Sequence, residues 1–124
     1  MKIRKIVDLL EAEVLCGVEH LDNDVFSACG SDMMSDVLAF VKDQGVLLTG
    51  LLNKQVVRTA EMMDMRCIVF VRNKRPSADV MELASESGIV LLATAERMYE
   101  ACGRLYTAGL VGGCISKQKS NDTA

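Results

Sequence analysis

The stretch Cys67-Ile68-Val69-Phe70-Val71-Arg72 is an unbroken apolar run that leads into a basic turn. Similar runs occur on both sides of it, at Gly45-Val46-Leu47-Leu48-Thr49-Gly50 and at Gly88-Ile89-Val90-Leu91-Leu92-Ala93-Thr94. Each is followed by a segment with helical periodicity, as in consecutive βα units. Strands that are apolar on both faces are covered by helices on both sides, and right-handed crossovers make such strands parallel. The pattern predicts an α/β fold, a three-layer sandwich with a mostly parallel sheet.

The remaining elements are predicted from periodicity and from residues that begin and end helices. Helices are expected over 3–11, from 30–32 to Gly45, after Asn53, after Ser77 and after Thr94. Their first residues are Ser31 or Asp32, Asn53, Ser77 and Thr94, which can cap a helix. Strands are expected at 13–16, near 25–29, and at 46–48, 67–71 and 89–92. With 124 residues the chain has room for one domain. We assign that domain to 1–110 and a flexible polar tail to 111–124.

Charge and apolar composition exclude several classes of partner. The net charge is −3 and the pI is near 5.1, so no basic face for nucleic acid is expected. No apolar run approaches the ~20 residues that span a bilayer, which argues against a membrane partner. The five cysteines lack C-x-x-C spacing and are interpreted as reduced, buried thiols. These features predict a cytoplasmic protein without a metal or other cofactor.

Polar residues follow the predicted strands, and the carboxyl ends of parallel strands meet at one edge of a sheet, where ligands bind in such folds. That edge would gather Gly30-Ser31-Asp32, Thr49-Gly50-Asn53-Lys54, Arg72-Asn73-Lys74-Arg75 and Thr94-Glu96-Arg97. The combination suits an anion. In an alternative interpretation, Ser31, Asn53, Ser77 and Thr94 only cap helices and the lysine and arginine side chains are solvated loop charges.

The chain contains no recognisable catalytic set. Neither G-x-G-x-x-G nor the P-loop pattern occurs. The single histidine, His20, lies among acidic residues and is interpreted as a solvated turn residue. Tyr99 and Tyr106 flank Gly103 on the last predicted helix, where they form either a subunit contact or a partly buried face of the domain.

Several short motifs together resemble the DRTGG domain family. They are Glu13-Val14-Leu15-Cys16-Gly17, Gly30-Ser31-Asp32-Met33-Met34-Ser35-Asp36-Val37-Leu38, Leu47-Leu48-Thr49-Gly50, Arg75-Pro76-Ser77, Glu82-Leu83-Ala84 and Gly88-Ile89. The resemblance covers residues 1 to about 110 in the order of these motifs. It implies a fold like that of the N-terminal domain of HPr kinase/phosphorylase, and a regulatory or assembly module that is commonly dimeric and has no catalytic centre of its own. The short form, with Thr49-Gly50-Leu51-Leu52-Asn53 and Tyr99-Glu100-Ala101-Cys102-Gly103, also resembles proteins encoded near iron-only hydrogenase components.

The chain departs from the family pattern at the motifs that give the family its name. The usual Gly-Asp-Arg is replaced around Leu51-Leu52-Asn53-Lys54, and the usual Thr-Gly-Gly by Val71-Arg72-Asn73. These replacements keep positive charge at the same edge, so an anion could still bind through different contacts.

The sequence therefore predicts a non-enzymatic regulatory module that is a homodimer and binds a small anionic metabolite such as a nucleotide. The predicted ligand-binding residues are Ser31, Asp32, Thr49, Gly50, Asn53, Lys54, Arg72, Lys74, Arg75 and Thr94. The alternative is an interaction subunit that recruits a hydrogenase-associated redox enzyme or a phosphotransfer enzyme as its partner. An enzyme is a third, weaker hypothesis, because general acid–base work needs positioned titratable groups.

Overall fold

A computed structural model describes residues 1–39 and 44–112 of the chain. The helices are α1 (Ile3–Leu10), α2 (Met34–Val37), α3 (Lys54–Met62), α4 (Ala78–Glu86) and α5 (Met98–Thr107), with a 3₁₀ turn at Val18–His20. The strands are β1 (Glu13–Cys16), β2 (Ala28–Gly30), β3 (Val46–Thr49), β4 (Cys67–Phe70) and β5 (Val90–Ala93). Residues 40–43, which include Val41 of the predicted second helix, lie outside the described residues. So do residues 113–124, which include Cys114 and most of the predicted tail. The division into 1–110 and 111–124 stays a prediction.

The strands form one sheet in the order β1-β5-β4-β3-β2. Strands β2, β3, β4 and β5 are parallel, and β1 runs antiparallel to β5 at one edge. The predicted mostly parallel sheet is therefore confirmed. Its consequence for function is that the turns after β2, β3, β4 and β5 all leave from the same edge, which we call the carboxyl edge.

Helices cover both faces of the sheet. Side chains of successive strand residues point to opposite faces, so Val46 and Leu48 of β3 pack with α1 and α5, whereas Leu47 packs with α2, α3 and α4. All residues of β3, β4 and β5 are buried. This burial explains why these strands are apolar without alternation and confirms the three-layer prediction.

The region between β1 and β3 differs most from the prediction. The strand expected near 25–29 is β2 at Ala28–Gly30, and the helix expected from 30–32 is the short α2, whose N-cap residue is Met33. Neither Ser31 nor Asp32 caps it. The Ser31 hydroxyl accepts a hydrogen bond from the Met33 amide at 3.0 Å, and Asp32 is bonded to the next strand instead. Local turn bonds of this kind compete with helix formation at serine and aspartate.

Within residues 1–39 and 44–112 there is no helix with both the length and the apolar character needed to cross a bilayer.

Gly17 provides a test of the packing between β1 and β5. Its φ of +90° lies in the left-handed region, and a Cβ atom there would be 2.9 Å from the Val90 Cα atom. We expect Gly17→Ala to lower the free energy of unfolding by about 2 kcal/mol or more, because left-handed strain costs about 1–2 kcal/mol and overpacking adds to it. The measurement is chemical denaturation of the purified chain.

Gly109→Ala is the matched control. Gly109 also has positive φ, at +107°, but a Cβ there would meet open space. It measures backbone strain without the steric contact. An equal loss in both variants would contradict close packing at Gly17.

Candidate functional site

The carboxyl edge brings together four turns that are distant in sequence. Backbone hydrogen bonds join them: the Ser31 amide donates to the Leu48 carbonyl at 3.0 Å, and the Val71 amide donates to the Thr49 carbonyl at 3.1 Å. The Asn73 amide donates to the Thr94 carbonyl at 2.7 Å. The turns after β2, β3, β4 and β5 therefore form one continuous surface, as expected from the strand order.

Asp32 is bonded to the end of β3. Its Oδ1 atom accepts hydrogen bonds from the Thr49 hydroxyl at 3.0 Å and from the Gly50 amide at 2.7 Å. The Thr49 hydroxyl in turn accepts the Leu51 amide at 3.2 Å. The two donors that an incoming anion would use at the end of β3 are thus already occupied by a carboxylate of the chain itself.

Thr94 is buried, and its hydroxyl is fully used inside the domain. The hydroxyl donates to the Leu10 carbonyl at 2.7 Å and accepts the Glu96 amide at 3.2 Å. The prediction that Thr94 caps the last helix is wrong, because α5 begins at Met98 with Arg97 as its N-cap residue. Thr94 connects α1 to the turn after β5, and its hydroxyl has no hydrogen left for a ligand.

The turn after β4 has an unusual backbone. Arg72 and Asn73 have φ values of 58° and 56°, so two consecutive non-glycine residues are left-handed. The conformation is held from the neighbouring turn, because the Arg72 amide donates to the Glu96 carbonyl at 2.8 Å and the Asn73 amide to Thr94. Asparagine tolerates this region, whereas for arginine it costs about 1–2 kcal/mol.

The Arg72 side chain lies across Gly50. A Cβ atom at Gly50 would be 2.6 Å from Nη2 of Arg72 and 3.6 Å from Oδ1 of Asp32. Glycine at this position therefore makes room for the guanidinium beside the Asp32 carboxylate. Any larger residue would displace the arginine.

A hollow of about 570 Å³ opens beside this contact and is lined by Arg72, Ala95 and Arg97. Both arginines are exposed, and neither forms an ion pair with another described residue. Two guanidinium groups without acidic partners on one hollow can bind a phosphoryl or carboxylate group bidentately. Arg97 was expected at this edge from the sequence but was not among the predicted ligand-binding residues.

The other predicted residues are less concentrated. Asn53 caps α3 through a 3.2 Å bond from the Val56 amide to its Oδ1, as predicted. Lys54 faces a cleft between α3 and α4 that also contains Arg58, Asp79, Glu82 and Glu86. Arg75 is 2.7 Å from Glu13, and this pairing lowers the pKa of the Glu13 carboxyl. Lys74 is an exposed residue of the turn after β4.

The described cysteines are free thiols, and Cys29 and Cys67 are buried as predicted, whereas Cys16 and Cys102 are half-buried. Burial raises the pKa of the Cys29 thiol to about 11 and also raises the pKa values of Cys67 and Cys102. His20 lies beside Gly88, at the amino end of β5, which is the opposite edge of the sheet. Among residues 1–39 and 44–112, therefore, neither a low-pKa thiol nor the histidine is available at the carboxyl edge.

Comparison with known proteins identifies the family. The model of the DRTGG domain matches residues 5–108. The chain belongs to the DRTGG domain family. No curated protein matches it significantly.

A solved structure confirms the fold. It contains the CBS and DRTGG domains of the regulatory region of Clostridium perfringens pyrophosphatase, complexed with its activator, diadenosine tetraphosphate. The TM-score is 0.68 at 18% sequence identity, over 84% of this chain and 45% of that one. The chain thus spans less than half the length of this pyrophosphatase fragment.

The resemblance to the family predicted that Val71, Arg72 and Asn73 replace the usual Thr-Gly-Gly. Arg72 and Asn73 have the positive φ that glycine adopts without strain. An arginine at this position places a cation at the carboxyl edge at a cost in backbone energy.

The buried hydroxyl of Thr94 can be tested by Thr94→Val. Valine has the same shape, so the change leaves the Leu10 carbonyl and the Glu96 amide without their partner. We expect a loss of about 1–3 kcal/mol in the free energy of unfolding, the cost of unsatisfied buried groups. Exposed Thr107→Val on α5 is the control. A Thr94→Val variant as stable as this control would show that the hydroxyl does not contribute.

Proposed function

We propose that this DRTGG domain is a non-enzymatic regulatory module that senses a small anionic metabolite, such as a nucleotide, at its carboxyl edge. The observation that carries the proposal is Arg72. Its strained backbone would be relieved by glycine, yet the chain keeps a side chain there whose guanidinium lies over Gly50 without an acidic partner among the described residues. Strain that persists in a surface turn supports a functional role for the residue.

The similar pyrophosphatase structure supports a nucleotide as the class of ligand. That protein's regulatory region is complexed with diadenosine tetraphosphate, an activator. Its phosphate chain is anionic and its two adenosine groups bear sugar hydroxyls, which agrees with the mixture of arginine and aspartate at the carboxyl edge of this chain. The sequence of that protein is only 18% identical to this one, so the arginine pair described here carries the proposal independently.

The polar groups of the carboxyl edge favour binding over catalysis. The hydroxyls of Thr49 and Thr94 and the Oδ1 atom of Asp32 are committed to hydrogen bonds that hold the turns together. Arginine stays protonated at neutral pH and cannot act as a general base. Two arginines without ion-pair partners among the described residues suit recognition of an anion. The free thiols agree with a reducing, cytoplasmic compartment.

The pair Arg72→Gly and Asn73→Gly separates backbone strain from ligand binding. Arg72→Gly should be at least as stable as the parent, because relief of about 1–2 kcal/mol of strain outweighs about 0.4–1 kcal/mol of added unfolded-state entropy. Asn73→Gly should stay within about 1 kcal/mol of the parent, because asparagine has less strain to lose and glycine adds the same entropy. Only Arg72→Gly should weaken the response to anions. The measurement is the thermal shift of the parent and both variants with a panel of nucleotides, acyl phosphates and sugar phosphates.

For the parent, ligand at one hundred times its dissociation constant should add about 2.7 kcal/mol of stability. Gly50→Ala adds an independent variant, since its Cβ displaces the Arg72 guanidinium without removing the charge. A parent that responds to no anion would refute the sensor. Equal responses in Arg72→Gly and Asn73→Gly would remove Arg72 from the site.

We further propose that the module is a homodimer formed through α5. Tyr99 and Tyr106 are 85% and 68% exposed, and they border an open groove of about 700 Å³ that includes Gly103. If two copies of α5 cross antiparallel about an axis near residue 102, Tyr99 of one copy meets Tyr106 of the other. Gly103 lies next to the axis, where the absence of a side chain allows close approach.

The charges of α5 support the same symmetry axis. Glu100 and Arg104 are exposed residues one turn apart. A symmetry axis near residue 102 therefore places Glu100 of one protomer opposite Arg104 of its partner, and Arg104 of the first opposite Glu100 of the second. An isologous contact of this kind is self-complementary. Arg104 also bonds to Glu96 of its own chain through Nε at 3.0 Å, and its terminal guanidinium nitrogens remain for the contact between copies.

Charge reversal tests this contact. We expect Glu100→Arg and Arg104→Glu each to weaken dimerisation about tenfold or more, because like charges then face each other across the axis. An equimolar mixture of the two variants should regain it as a heterodimer. The measurement is sedimentation equilibrium, with Arg58→Glu on α3 as the control. Single variants that dimerise like the parent would refute an α5 interface.

The exposed aromatic face of α5 also favours a second candidate function, an interaction subunit that recruits a redox or phosphotransfer enzyme. Tyrosine at a small-residue groove is typical of protein interfaces. The same sedimentation experiment separates the two uses of the surface. A chain that stays monomeric at high concentration would leave the α5 face free for a different protein.

A further inference from the structure

The carboxyl edge combines two features that a simple anion site would not contain. Arg72 and Arg97 line a hollow without acidic partners. Asp32, however, lies near the first arginine without forming an ion pair with it: its Oδ1 atom and Nη2 of Arg72 are 3.6 and 2.6 Å from one point, the Cβ position of Gly50. A carboxylate this close to the hollow would repel an anion that carries no hydrogen-bond donor for it.

The two oxygens of Asp32 differ in what they can do. Oδ1 accepts both structural hydrogen bonds, from the Thr49 hydroxyl and the Gly50 amide. Oδ2 accepts no hydrogen bond from a described residue, and the side chain is exposed. This fixed carboxylate therefore presents a free, charged acceptor next to the arginine hollow. Its natural partner is a hydroxyl donor.

We propose that the carboxyl edge binds a phosphorylated sugar, with the phosphoryl group held by Arg72 and Arg97 and a sugar hydroxyl donating to Oδ2 of Asp32. This inference rests on the proposed function and narrows its ligand to a sugar phosphate, free or as part of a nucleotide. The repulsion between Asp32 and a phosphate group makes the site select sugar phosphates over simple phosphates. Only a ligand with a hydroxyl donor compensates for this repulsion through a hydrogen bond to Asp32.

Asp32→Asn tests the role of the free oxygen. The Gly50 amide needs an oxygen acceptor, so asparagine keeps its oxygen on the structural side and turns its NH₂ group toward the hollow. The variant loses the negative charge and the outward acceptor while the bonds to Thr49 and Gly50 stay. Thermal unfolding of the variant checks that the fold is retained.

The binding experiment uses isothermal titration calorimetry of the full chain with methyl phosphate, ribose 5-phosphate and AMP. Methyl phosphate carries the same monoester group without a hydroxyl. We expect the parent to bind ribose 5-phosphate about tenfold more tightly than methyl phosphate, the value of one hydrogen bond to a charged acceptor. Asp32→Asn should bind methyl phosphate more tightly than the parent and should bring the ratio of the two affinities close to one.

Two further variants localise the phosphoryl group. Arg97→Gln should weaken both sugar phosphate and methyl phosphate by similar factors, whereas Arg58→Gln, which removes an exposed charge on α3, should leave both unchanged. Tighter binding of AMP than of ribose 5-phosphate would assign the ligand to the nucleotides; equal binding would assign it to the free sugar phosphates.

The outcomes separate this inference from the proposed function. If the parent binds anions through Arg72 but shows no preference for ribose 5-phosphate, or a preference that Asp32→Asn leaves intact, the sugar-phosphate inference is overturned and the sensor remains. If the parent binds none of the three ligands and responds to no other anion, both are overturned.

Discussion

The structure of the carboxyl edge depends on the hydrogen bonds that hold the turn after β4 in its left-handed conformation. The Arg72 amide is bonded to Glu96 and the Asn73 amide to Thr94, so the turn after β5 sets the backbone of its neighbour. Thr94 is itself anchored to α1 through Leu10. The orientation of the Arg72 side chain over Gly50 is therefore determined by packing that extends to the first helix. A surface cation positioned in this way loses little entropy when a ligand binds.

The overall fold was predictable because its signal is redundant. The bounds of β1 and α1 and the start of α3 agree with the prediction within a residue. Apolar periodicity indicates α1, Gly17 follows the end of β1, and Asn53 caps α3. The parallel sheet followed from three continuously apolar strands, whose burial is complete on both faces. Where several local preferences indicate the same element, that element can be predicted from the sequence, because tertiary packing does not change it.

The sequence predicted the location of the candidate site, at the carboxyl edge of the sheet, but not the contacts within it. Strand order gathers the turns, and it was inferred from the pattern, but the partner of each polar group depends on three-dimensional contacts. Asp32 is a residue type that often caps helices, but here it accepts hydrogen bonds from the end of β3. Thr94 donates to the Leu10 carbonyl and does not cap α5. Arg75, which looked free in the sequence, pairs with Glu13 from the antiparallel strand β1. No local period encodes a contact between residues 62 positions apart.

Arg72 and Asn73 place side chains on a left-handed turn of the carboxyl edge where glycine would be unstrained. Two glycines allow the left-handed turn at no steric cost and leave the backbone open. An arginine on the same backbone raises the energy of the folded state, and that cost is tolerated because the neighbouring turn over-determines the conformation. The arginine side chain enters the space above Gly50, where a Cβ atom would collide with its guanidinium. The arginine therefore needs the glycine at residue 50, because a Cβ atom there would be 2.6 Å from its Nη2 atom. The bonds that hold the turn after β4 join main-chain groups, from the Arg72 amide to Glu96 and from the Asn73 amide to Thr94. A change of the side chain at residue 72 therefore alters the charge of the carboxyl edge while these backbone bonds can stay the same.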